Sequence, residues 1–413
     1  MNREENRDIH QVVESVALRS HGKLVAYLAA RFGDVAAAED ALSEAFAAAL
    51  VAWPQAGCPA NPEAWLLVAA RRKRIDQLRG TRESTAGEEL EALAAAETAV
   101  EDPELPDRRL ALLFACTHPA IDPAIRAPLM LQVVLGLEAS QIASAFLISP
   151  TAMAQRLVRA KTRIRDAGIP FTIPDRSELP DRVEAVLDSI YACFSEGWPD
   201  PAATDASRRE LAGEAIFLGR LLVELLPDDP EASGLLALML YSESRRRARR
   251  SANGKFVPLA RQDAALWDMA MIHEAEAALR HASRAGRIGR YQLEAAIQSA
   301  HLEGVRSGTP PWAEVARLYD ALVHLTGSPV ASINRAIAIA EAEGPAAGFA
   351  VLEGVSKDPR IESYQPYWAV RANLLARVGS TTAARHAYQI AIGLESDPAV
   401  REYLWQQSED LPE

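Results

Sequence analysis

The sequence predicts an all-α protein: two small helical units, the second a helix-turn-helix, joined by an acidic linker and followed by an irregular helical-repeat region. Three observations predict it. Apolar residues make up 49% of the 413, much of that Ala and Leu, with aromatics at only 6% and many Glu and Arg, a mixture of strong helix formers. No segment shows the strict polar/apolar alternation of a half-buried strand. Capped, helix-period apolar stripes recur along the chain, broken by Gly and Pro.

The same composition narrows function. The eight histidines include no HExxH pair, and no GxSxG, P-loop or GxGxxG string occurs, so the expectation is a protein without catalysis, metal or cofactor. Cys58, Cys116 and Cys193 are too few and too far apart for a disulfide framework or a CxxC site and read as reduced, incidental thiols. The longest apolar runs, such as 235–241, fall far short of a membrane span, and the N-terminus has no signal core; a cytoplasmic protein without membrane contact is expected. A net charge of -12 argues against a chain that grips nucleic acid unaided.

The first unit, 8–80, reads as amphipathic helices broken at Gly33 and by a loop over 53–61. In AEDALSEAFAAAL (38–50), Asp40 and Glu44 stand one turn apart beside a stripe of Leu42, Phe46 and Leu50, the pattern of a helix that docks on a protein or of an ordinary core helix. In NPEAWLLVAARRKRIDQLRG, Asn61 is the cap and Pro62 the first residue of a helix. Leu67, Val68, Ile75 and Leu78 form its apolar stripe, with Trp65, Arg72, Asp76 and Arg79 nearly opposite, and Arg71 projecting onto the apolar side. A basic face with an aromatic suits single-strand binding; a solvated helix face with a core Trp is the other reading.

Residues 81–106 carry Glu88, Glu89, Glu91, Glu97, Glu101, Asp102 and Glu104 with almost no base, an acidic linker. The second unit, 107–169, contains a helix, a tight turn at 147–149 and a second helix capped by Ser149 and started by Pro150. Met153, Leu157, Ala160 and Ile164 line its inner side. Thr151, Ala152, Gln155, Arg159 and Thr162 face outward with Arg156 and Arg163 on the flank, a set suited to the major groove. A plain helical hairpin is the alternative.

From 180 to 413 helix pairs beginning near Ala316, Phe349 and Arg385 recur at about the 34-residue period of tetratricopeptide units, without most signature positions. Two local strings stand out. SRRRARRSANGKF contains the arginine-rich 245–250 and reads as a solvated loop that could also touch nucleic acid or an acidic partner. FSEGWPD (194–200) reads as a packed turn, with Glu196 and Trp198 as candidate pocket residues.

Taken in order, these segments resemble an extracytoplasmic-function sigma factor, a promoter-reading subunit of RNA polymerase, over roughly 8–169. AEDALSEAF, NPEAWLLVAARRKRIDQLRG and TAMAQRLVRAKTRIRDAG are similar to that family's core-binding, promoter-melting and upstream-element-reading segments. The remainder, including YQLEAAIQSAH (291–301) and GPAAG (344–348), resembles the group that carries a tetratricopeptide-like C-terminal extension.

The resemblance implies core RNA polymerase and promoter DNA as partners. It places Asp40 and Glu44 against the polymerase clamp helices and the 54–61 loop, with Asn61, where a flipped base is captured. Trp65, Arg72, Asp76 and Arg79 fall on the melting helix, and Thr151, Ala152, Gln155, Arg156 and Arg159 on the upstream recognition helix. Two positions depart from the family: Ala154 stands where Lys is common, removing a phosphate contact, and Glu138 replaces a Ser or Thr cap. A sigma factor does not hold DNA alone, which answers the acidic net charge, and the linker could occupy a basic RNA channel or be a simple spacer. The extension is expected to bind a regulatory protein or peptide, to clamp the sigma domains or to add polymerase contacts. Two other classes stay open: a conventional helix-turn-helix regulator with a helical-repeat sensor, and a repeat-based adaptor.

Overall fold

The computed structural model describes the backbone of residues 3–80, 107–146, 148–198, 206–358 and 361–412; side chains at 79–80, 206–209 and most of 3–19 lie outside that description. The expected linker at 81–106 and Leu147 of the expected turn also lie outside the described residues. Among the described residues the chain forms 18 α-helices and no strand. None of these helices is long and apolar enough to cross a membrane. The chain divides into two compact units, Met1–Glu196 and Gly197–Glu413.

In the N-terminal unit, α1 (Arg3–Phe32) ends at Gly33, which takes a left-handed φ of 67° that a side chain would resist. Asp34 then caps α2 (Val35–Ala56), accepting from the Ala36 and Ala37 amides at 2.9 and 3.2 Å. Contrary to the expected 53–61 loop, α2 runs on through Trp53 and Pro54, and Trp53 is buried. The hydrogen bond that Pro54 deletes would go to Leu50, an exposed residue where water can take its place. The loop that remains is 57–61. It leads to α3 (Pro62–Gly80), where the Asn61 side chain accepts from the Ala64 amide at 3.0 Å.

Four helices follow: α4 (Arg109–Cys116), α5 (Pro123–Leu135), α6 (Ala139–Ala145) and α7 (Pro150–Asp166). Helix α1 packs on α2 and α3 and also on α4 and α5, so one long helix serves two cores. At Gly22 the backbones meet directly. A Cβ there would stand 2.3 Å from the Val134 carbonyl oxygen, so no larger residue fits. In α8 (Leu179–Gly197), Arg182 donates to the Phe114 carbonyl and lies 5.8 Å over the Phe114 ring, which fixes the start of α8 onto α4.

The C-terminal unit begins with α9 (Ala206–Leu225), the almost wholly buried α10 (Pro230–Glu243), α11 (Met269–Ser283) and α12 (Arg290–Ser307). Glu231 of α10 accepts from the Tyr291 and Gln292 amides at 2.8 and 3.1 Å, filling the donors that open α12. Three helix pairs complete the unit: α13 (Trp312–Thr326) with α14 (Pro329–Glu343), α15 (Pro345–Val355) with α16 (Gln365–Arg377), and α17 (Thr381–Leu394) with α18 (Pro398–Glu409). Their starts lie 33 and 36 residues apart, and each pair begins four residues before the expected position. Small residues set the spacing. Gly348 lies against Ala340 and the Ala336 carbonyl, where a Cβ would approach to 2.4–2.5 Å, over a core of Ile333, Leu352, Tyr367 and Leu374.

Candidate nucleic-acid interface

The outer side of α2 presents Asp40 and Glu44, both exposed and one turn apart. Leu42 between them is buried, Phe46 is half-buried and Leu50 is exposed, so the expected stripe turns outward at its end. Glu44 is engaged from α3: the Lys73 ammonium lies 3.4 Å away and the Gln77 amide donates at 3.2 Å. A protein partner reaching Glu44 would compete with these exposed contacts, which are worth under about 1 kcal/mol each.

On α3 the basic string divides by helical geometry. Arg71 stands four residues after Leu67 and four before Ile75, in line with two buried residues, and is itself buried. Its guanidinium donates to the Tyr27 hydroxyl and lies 5.3 Å over that ring. Val68, expected in the stripe, is instead 38% exposed, because it sits 100° round from that line. Arg74 lies 5.9 Å over the Phe32 ring, while Arg72, Asp76 and Gln77 face solvent. Trp65 is half-buried and meets the buried Trp53 edge to face at 5.5 Å, leaving one part of the indole at the surface. Asn61 is exposed with its side chain engaged in the cap. The Arg79 side chain lies outside the described residues.

The helix-turn-helix is formed by α6 and α7. The Ser149 hydroxyl accepts from the Ala152 amide at 3.3 Å, and Pro150 occupies the first position. At the start of α6, Glu138 is accommodated because the Gln141 side chain accepts its amide at 2.9 Å. Met153, Leu157, Ala160 and Ile164 are all buried. Thr151, Gln155, Arg156 and Arg159 are exposed and Ala152 is half-buried, a polar row along one side of α7. Arg159 donates to the Gln155 carbonyl one turn back at 3.3 Å, which stands it along the helix, near Gln155.

One tie was not anticipated from sequence. The Lys161 ammonium on α7 meets the Glu39 carboxylate on α2 at 2.8 Å, with side chains only 13% and 17% exposed. Arg165 approaches Asp34 at 3.8 Å beside it. Burial pushes the Glu39 carboxyl above its ordinary range, and the neighbouring Lys161 pulls it back in part. Each residue follows a buried alanine, Ala38 and Ala160, which marks the edge of an apolar stripe; the pairing across 122 residues has no sequence signal. The thiols take no part: Cys58 is exposed, Cys193 is buried, and burial pushes the Cys116 thiol up. Among the described residues no group of three or more His, Cys, Asp or Glu could hold a metal ion.

Residues 17–83, which span the end of α1, all of α2 and α3, match the family model for sigma-70 region 2. Residues 182–283 match a family of unknown function, DUF6596. Over 389 residues the chain is 39% identical to an uncharacterized protein, R00370, of Rhizobium meliloti (strain 1021), covering 92% of this chain and 91% of that one. No solved structure matches the chain.

Proposed function

We propose, from the premise that the chain belongs to one family with its rhizobial relative and carries sigma-70 region 2 in its N-terminal unit, that it is an extracytoplasmic-function type sigma factor. It directs core polymerase to a restricted set of promoters and starts DNA opening, and the polymerase, not this chain, performs the chemistry. The observation that carries the reading is the presence in one unit of a region 2 module and a capped helix with an open polar row, Thr151, Gln155, Arg156 and Arg159. That row has the side chains that read major-groove edges, Gln to adenine and Arg to guanine.

The roles divide along the unit. Asp40 and Glu44 on α2 take the polymerase. Arg72 and Asp76 on the open side of α3, with the part-exposed Trp65 indole and the 57–61 loop, take the separated strand. The C-terminal unit, a helical-repeat region of the tetratricopeptide-like kind, regulates this activity or adds polymerase contacts, and the protein works in the cytoplasm.

Run-off transcription tests the proposal: purified core polymerase, the full chain and fragmented genomic DNA from its source. Transcripts that depend on the chain, and that Gln155→Ala with Arg159→Ala removes, are the expected result. If the chain neither bound core nor started transcripts, while still retarding duplex DNA through the same two residues, it would be a conventional duplex-binding regulator instead.

A further inference from the structure

The 245–250 segment is not the solvated loop its composition suggests. It enters a short helical turn, Arg246–Arg249, directly after α10, anchored by the buried Ala248, and closes with a bridge between Arg250 and Phe256. Five arginines fall within six residues. Two are matched by carboxylates: Glu243 spends both oxygens on Arg246, at 2.6 and 2.8 Å, and Asp397 pairs with Arg250 while also capping α18 through the Ala399 amide. Arg247 is exposed.

Arg245 and Arg249 are different. Arg245 is only 9% exposed and its guanidinium donates to two neutral acceptors, the Gln298 side chain at 2.7 Å and the Tyr241 carbonyl at 3.3 Å. Arg249 donates to the Trp198 carbonyl at 3.3 Å and lies 4.4 Å over the Trp198 ring, which Arg246 also approaches at 5.3 Å. Among the described residues no carboxylate is ion-paired with either. A guanidinium taken out of water without a counter-charge is costly, and two side by side are more so. Burial, and then repulsion from Arg249 on Arg245 and from Arg246 and Arg250 on Arg249, push both down to about 10, with the Asp397 and Glu243 carboxylates pulling Arg249 back only in part. His301 relieves nothing: burial and the nearby Arg245 hold it at about 4, so it is neutral at pH 7.

We propose that Arg245 and Arg249, with Arg247 at the rim and Trp198 as the floor under Arg249, form a binding site for a small phosphate-bearing anion. Among the described residues, five cations against two occupied carboxylates leave three in excess, which suits a phosphate dianion better than a single carboxylate. The planar fork of Arg matches phosphate oxygens two at a time. The cluster is short and largely turned inward, whereas a nucleic-acid backbone is followed by cations strung along an open surface. The residues are held in place before the ligand arrives, which lowers the entropic cost of binding.

Titration calorimetry of the full chain with inorganic phosphate and with pyrophosphate, at ionic strength held constant with sodium chloride, tests this. Saturable binding is expected, weakened at least about tenfold by Arg249→Gln and unchanged by Arg317→Gln, an exposed arginine on α13. No saturable heat with the native chain, or equal binding by Arg249→Gln, overturns the proposal; so does binding of a 20-nucleotide single strand without binding of phosphate. If Arg249→Gln does not fold, the native melting temperature decides: a rise with phosphate but not with equivalent chloride supports the site, and no rise overturns it.

Discussion

Two arginine-rich strings of the N-terminal unit look alike in one dimension, RRKR at 71–74 and RLVRAKTRIR at 156–165, and the fold treats them oppositely. On α3 the apolar line Leu67, Arg71, Ile75 draws a charge into the core, where Tyr27 receives it. On α7 the line Met153, Leu157, Ala160, Ile164 is apolar throughout, so Gln155, Arg156 and Arg159 stay in water. What separates an arginine drawn inward from one left in water is its angle to the apolar line, and 100° per residue decides it. The C-terminal unit repeats the inward case at Arg245.

The contrast is easiest to break at Arg71. Arg71→Ala removes a buried hydrogen bond, a ring contact and core volume, and should lower the stability of the full chain by roughly 3 kcal/mol or more in chemical denaturation. A change below about 0.5 kcal/mol would mean Arg71 is a surface charge after all.

The inward arginine of the C-terminal unit can be read through its neighbour. His301 sits at about 4 in the folded chain against about 6.5 when free, so the unfolded chain binds more protons between those values. Its contribution to stability is complete above about pH 6.5 and is lost as the pH falls towards 4, by about 3 kcal/mol. His301→Gln should flatten that limb of the stability profile, and an unchanged profile would place the imidazole in solvent.

On the outward side, Gln155→Ala with Arg159→Ala should weaken binding to upstream promoter duplex by about 2–3 kcal/mol, on the order of 50-fold, at fixed salt. The melting temperature should stay put, and a large drop would turn α7 into a structural helix. The smallest effect sharpens the comparison within α3 itself. Arg72→Ala, one residue from Arg71, should change stability by no more than about 0.5 kcal/mol while slowing strand opening, followed by permanganate footprinting.

How far these fates were legible follows from their causes. The helix-turn-helix was legible because its signals are local: a Ser-Pro cap and four apolar residues at helical spacing, all four buried. The repeat period of the C-terminal unit is legible too, but each expected start falls four residues late, one turn inside the helix and not at its opening turn. Pro54 misleads, since a proline near a helix end reads as a loop although the residue it would have bonded to, Leu50, lies at the surface. The Lys161–Glu39 pair and the burial of Arg245 against Gln298 depend on residues 122 and 53 positions apart, which no local pattern encodes.

The direct backbone meeting at Gly22 and Val134, with the Lys161–Glu39 pair joining the same two modules, has a consequence for a cut chain. Within the described residues, what holds these modules together is the packed seam between α1 and α5. A protease site engineered between 80 and 107 and cleaved to completion should leave two polypeptides on a denaturing gel that elute from gel filtration as one particle. Placing Ala at Gly22 should let the same nick release them.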